Sequence, residues 1–66
     1  MTIRVNGRVM DYIEGETLNR LLKRLKYNFP LVIIKLNDRI IPSDDYIKKK
    51  VSDGDRIEII HLTSGG

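Results

Sequence analysis

The sequence predicts an α+β fold in which one main helix packs on one face of a β-sheet. Three observations predict it. Asn6-Gly7 sits between two short runs rich in β-branched residues. Leu18, Leu21, Leu22 and Leu25 recur at the i, i+3, i+4, i+7 spacing of one helix face. Residues 56–62 form an isoleucine-rich run behind the tight Asp53-Gly54-Asp55 turn.

The elements follow in order. Thr2–Val5 and residues 8–12 read as strands, and Asn-Gly between them supplies the positive φ angles of a type I′ hairpin turn. Glu14-Gly15 breaks the second strand. Thr17 stands as N-cap before the leucine stripe, so the helix is expected over residues 17–26, stopped by Asn28 and Pro30. Arg20, Lys23, Arg24 and Lys26 occupy the opposite, solvated face, and their place in the last turns suits the helix dipole.

Residues 31–36 are apolar except for Lys35, the pattern of a strand inside a sheet. Asn37-Asp38 turns the chain into Arg39–Ile41, which Pro42 ends. Residues 43–50 are polar and read as a short 3₁₀ or α turn anchored by Tyr46, Ile47 and Val51. Residues 56–62 are the last strand, and 63–66 are expected to form a flexible tail of small residues. The expected core joins Leu18, Leu21, Leu22 and Leu25 to Ile3, Val5, Ile34, Leu36, Ile57 and Ile59.

Composition narrows the function. At 66 residues the chain is read as one domain, 1–66. Such a chain buries only ~60% of the surface that it exposes when unfolded. The absence of cysteine excludes a disulfide framework, thiolate-held metals and a cysteine nucleophile. Twelve Lys and Arg against nine Asp and Glu give +3, mildly basic. That charge favours acidic partners but is weak for a nucleic-acid binder, which would interleave aromatics with a larger basic excess. No apolar run suggests a signal peptide or a membrane span, so a soluble, cytoplasmic protein is expected.

Catalytic groups are sparse. His61 is the only histidine and reads as a strand residue at the sheet margin. Asp44-Asp45 and the Asp53/Asp55 pair sit in turns, where aspartate bonds its own backbone. Gly7, Gly15 and Gly54 are single turn glycines and match no phosphate-binding loop. No catalytic residue, metal site or bound cofactor is expected. The basic helix stripe and Lys48-Lys49-Lys50 read as solvated surface.

The terminus stands apart. Thr63-Ser64-Gly65-Gly66 follows a strong strand, and four residues reach at most ~14 Å. Without Cβ atoms the glycines can thread a narrow channel into another protein's active site. A carboxylate on Gly66 is ionised at neutral pH and is a poor electrophile, so it reacts only after activation, most simply by adenylation. Alternation in the last strand puts Ile57 and Ile59 on one face and Arg56, Glu58, Ile60 and Leu62 on the other. With the first pair in the core, the second set becomes a candidate docking patch beside the tail.

In this order of elements the chain resembles the ThiS/MoaD family of β-grasp sulfur carriers, especially its thiamin-biosynthesis branch. The matching stretches are Ile3-Arg4-Val5-Asn6-Gly7, Glu14-Gly15-Glu16-Thr17-Leu18 with Leu21-Leu22, and Leu36-Asn37-Asp38-Arg39-Ile40-Ile41-Pro42. Val51-Ser52-Asp53-Gly54-Asp55-Arg56-Ile57-Glu58-Ile59-Ile60 and the closing Gly65-Gly66 complete the match. Thr63-Ser64 stand where the family often has a small apolar residue and Gly or Ala before the final glycines, and Arg20 replaces a frequent glutamate of a capping box.

The resemblance implies a mixed sheet of four to five strands with the first and last strands adjacent and parallel. It also implies that an E1-like enzyme adenylates Gly66 with ATP, and that a persulfide donor converts it to a thiocarboxylate. That species would give its sulfur to thiazole synthase. Other readings that remain at this point are a carrier for molybdopterin synthesis or tRNA thiolation, a ubiquitin-like modifier of lysines, and a TGS-like RNA-binding module.

Overall fold

The computed structural model describes residues 1–27 and 31–62. Strand β1 (Thr2–Val5) turns into β2 (Arg8–Asp11) through Asn6 and Gly7, both at positive φ (52° and 82°). That is the type I′ geometry expected, and it sets the register Val5↔Arg8 and Ile3↔Met10. A loop leads to helix α1 (Leu18–Arg24), followed by β3 (Val32–Leu36), β4 (Arg39–Ile41), a 3₁₀ turn at Ser43–Asp45 and β5 (Arg56–His61). The five strands lie in the order β2-β1-β5-β3-β4. β1 and β5 are parallel while the other pairs are antiparallel, the mixed β-grasp arrangement that the family resemblance implied.

The last strand is the centre of the sheet. Its flanks pair with β1 and β3, so Ile57 and Ile59 are buried, as are Ile3, Val5, Ile34 and Leu36 on the neighbouring strands. Leu18, Leu21 and Leu22 close over them from α1. Leu25 is only partly buried, at the margin of that cluster. Val32, Tyr46 and Val51 join the core. The Tyr46 hydroxyl accepts a hydrogen bond from the Ile34 backbone N–H (3.0 Å), so its polar tip is satisfied inside the apolar cluster.

Two details of the sequence reading change. Ile47, expected as an anchor, is 69% exposed. Tyr46 takes the inward position, and the next residue of the tight turn points away from it. The helix also ends earlier than residues 17–26 suggested. Thr17 caps it as expected, its Oγ1 accepting from the Arg20 N–H (3.3 Å). At the other end Lys26 adopts a left-handed φ of 63°. The Lys26 N–H then donates to the Lys23 carbonyl (3.1 Å) and the Tyr27 N–H to the Leu22 carbonyl (2.9 Å). This is a Schellman cap with lysine in the position that usually favours glycine. The stop signals Asn28 and Pro30 lie outside the described residues.

A third change concerns Arg24, assigned above to the solvated helix face. Its guanidinium instead forks onto Glu16, with Nε–Oε2 and Nη2–Oε1 both at 2.9 Å, and Nη2 also reaches the Asp11 carbonyl at 3.3 Å. Glu16 is 6% exposed, so the pair clamps the loop before α1 onto the helix. Arg24→Met leaves that buried carboxylate without its donors and is expected to cost ~1–3 kcal/mol. Urea denaturation measures it; an unchanged midpoint would mean that the clamp contributes nothing. Among the described residues no helix is long and apolar enough to cross a membrane.

Candidate functional site

The site begins where β5 overruns β1. Backbone pairing between the two strands ends at Val5↔Ile57, because the hairpin turns away at Asn6. The Asn6 side chain takes over. Its Oδ1 accepts from the Ile59 N–H (2.8 Å), and its Nδ2 donates to the Ile59 carbonyl (3.3 Å) and to the Tyr27 hydroxyl (3.3 Å). On the other flank β3 follows β5 to its end, with Val32 opposite His61 and the Leu62 N–H donating to the Leu31 carbonyl (2.7 Å). The chain is therefore held in place up to Leu62. Ser64, Gly65 and Gly66, the residues expected to thread and react, lie outside the described residues.

The face of the sheet that α1 leaves uncovered has the composition that alternation predicted. Arg56 and Ile60 are exposed there and Glu58 is half-buried. Leu62 follows, and it and Ile60 are each 45% exposed. Strand β3 enlarges the patch. Register places Ile33 opposite Ile60 and Lys35 opposite Glu58, and β4 adds Ile40 opposite Lys35. Leu31 and Ile40 are also exposed. The aliphatic surface is thus built by β5 and β3 at the Leu31/Leu62 end of the sheet, with Ile40 of β4 further along and Lys35 opposite Glu58 in the middle of the face.

Sequence reasoning found the β5 half of this patch and missed Ile33, Leu31 and Ile40. The missing signal was available in part, since alternation along residues 31–36 puts 31, 33 and 35 together. The antiparallel register that sets Ile33 beside Ile60 was not.

Other features lie elsewhere. Arg56 forms an ion pair with Asp38 from the β3–β4 turn. His61 ends β5 on the helix side, its ring centroid 6.3 Å from that of Tyr27. An open groove lies between the β1–β2 hairpin and the end of α1, lined among others by Val5, Arg8, Val9, Met10, Leu25 and Tyr27. Among the described residues no group of three or more His, Asp or Glu could hold a metal ion.

Comparison with known proteins matches residues 3–66 to a family model described as the ThiS family. The sulfur carrier protein ThiS of Escherichia coli is 29% identical over 66 residues, all of both chains. A thiazole synthase of Paramagnetospirillum magneticum is 30% identical over 66 residues, which span this whole chain but only 20% of that protein. A crystal structure of the thiamine biosynthesis protein ThiS from Geobacter metallireducens superposes with a TM-score of 0.78 at 27% identity, covering all of both chains. A solution structure of a thiamine biosynthesis protein from that organism gives 0.79 at 29% identity and is covered to 88%.

Proposed function

The chain belongs to the ThiS family, and from that premise we propose that it is a sulfur carrier for thiamin thiazole synthesis, with Gly66 as the residue that bears the sulfur. The Gly66 carboxylate attacks the α-phosphorus of ATP bound by an E1-like enzyme and expels pyrophosphate. The resulting acyl-adenylate is an electrophile with a good leaving group. The terminal sulfur of a donor persulfide displaces AMP, and a thiol then cleaves the S–S bond to leave the thiocarboxylate. That softer nucleophile is delivered to thiazole synthase. The carrier supplies shape and a terminus and is a substrate of other enzymes.

The observation that carries this reading is an end-to-end likeness to a sulfur carrier, coupled to an exposed aliphatic face on the strand that leads to the tail. The thiazole synthase with a segment like this chain supports the choice of acceptor. Intact-mass measurement after incubation with the activating enzyme, ATP and a persulfide donor tests it. The expected product gains the mass of one sulfur exchanged for one oxygen. Lysine-linked adducts in place of that product would indicate a modifier.

Docking gives a sharper test. Ile60 and Leu62 form the desolvated centre of the proposed interface, with Arg56 and Glu58 as charged neighbours and Ser64-Gly65 threading the channel. Ile60→Asp puts a charge at that centre and is expected to raise the KM of the activating enzyme for the carrier by ~10-fold or more. Because Ile60 is 45% exposed, the fold should be unaffected. Adenylation kinetics with circular dichroism as control measure this, and wild-type kinetics from a folded variant would remove Ile60 from the interface.

A further inference from the structure

From the far end of the same face we infer that Arg4, held beside the Asp38-paired Arg56, is a second, charged docking point that receives an acidic side chain of the activating enzyme. The inference rests on the carrier reading above and extends it to the opposite end of the sheet from Leu62.

Arg4 and Arg56 are register partners on the parallel strands β1 and β5. Their next neighbours Val5 and Ile57 are both buried, so both arginines project from the uncovered face. Like charges at facing positions destabilise a sheet. Arg56 is answered by Asp38. For Arg4, no acidic side chain among the described residues forms an ion pair with it. Its other cross-strand neighbour is Val9, which is 60% exposed. The fold thus holds an unanswered guanidinium between an exposed valine and a second guanidinium, where a neutral residue would suit the sheet better. The planar fork of an arginine matches a carboxylate in two-point contact, and a valine beside it excludes water from such a contact. Surface solubility would be served as well by an arginine set apart from its like.

Geometry limits what this pair can do. From Arg56 to Leu62 the strand covers about 20 Å at ~3.3 Å per residue. Four residues beyond Leu62 span at most ~14 Å, so a terminus presented to a partner's active site, away from the sheet, lies far from both arginines. They act on association and orientation. The face then has two working ends, aliphatic beside the tail and cationic opposite it, which together fix the direction in which the terminus is presented.

The test uses Arg4→Glu and Arg4→Gln carriers in ATP–pyrophosphate exchange with the activating enzyme. Arg4→Glu is expected to raise KM by ~10-fold at low ionic strength with kcat unchanged, because a rim charge acts mainly on encounter. The gap should shrink as salt approaches ~1 M, where the screening length falls to about 3 Å. Arg4→Gln should fall between the two proteins in KM and melt no lower than wild type, since it relieves the like-charge pair. An unchanged KM for Arg4→Glu, a loss confined to kcat, or a salt-independent defect would each overturn the inference. If wild type is active and Ile60→Asp is impaired while Arg4→Glu behaves as wild type, only the charged point is lost. If wild type supports no exchange, the carrier reading falls and this inference with it.

Discussion

Deletion of Gly66 is expected to abolish adenylation while leaving the melting temperature within about 1 °C of wild type. Removing one residue withdraws the carboxylate by ~3.5 Å. Misplacement of a reacting group by even 1 Å can cost ~10²-fold in rate. Thr, Ser and two Gly offer little apolar surface to a core, and the last core residue of β5 is Ile59. Extension past Gly66 should be as damaging, because the carboxylate then sits beyond the centre that activates it. Pyrophosphate exchange and differential scanning calorimetry on both variants check the two halves. An extended chain that accepts sulfur at its new end would argue against a threading channel, and a large drop in melting temperature would mean that the tail belongs to the folded core.

The second large effect belongs to the core. Leu22→Ala is expected to cost ~2–5 kcal/mol, the range for deleting a buried leucine side chain. A domain of this size has a total stability of only ~3–10 kcal/mol. Leu22 is 1% exposed and lies in the cluster that α1 shares with the sheet. Its carbonyl also receives the Tyr27 N–H in the helix cap, so a collapse around the cavity would pull on the end of α1. Urea denaturation gives the number. A loss below ~1 kcal/mol would mean that the cavity refills, and that the helix is held by something other than its leucines.

The parts of this fold that were legible in the sequence are those in which one residue type has a single physical use. Asn6-Gly7 meets a requirement for two positive φ angles. The leucine spacing meets the helical period, and strand alternation placed Ile57 and Ile59 inside with Ile60 and Leu62 outside. What escaped depends on partners far along the chain. The Glu16–Arg24 clamp joins a loop to a helix face that periodicity assigns to solvent. The helix end at Arg24 depends on a lysine in left-handed geometry, for which composition holds no signal. Asn6 was read as a turn former, yet its amide also stands in for a missing strand beside Ile59. The aliphatic patch was half visible because β5 alone reveals its own alternation, while the contribution of Ile33 requires knowing which strand lies next to it.

The central place of β5 also makes a continuous sheet depend on that one strand. Residues 56–61 come after the other four strands along the chain, yet they are the strand on which both β1 and β3 are laid. Without them the fold reduces to two separate antiparallel pairs, β1–β2 and β3–β4, and a short helix with no continuous sheet to cover. Two-stranded pairs of this kind are marginal in water on their own. Joining the first strand to the last is a non-local closure, which slows folding and makes it cooperative. The surface that bears Ile60, Ile33 and the Arg4–Arg56 pair therefore does not exist on an incomplete chain. A partner that recognises that surface meets only chains that already carry β5.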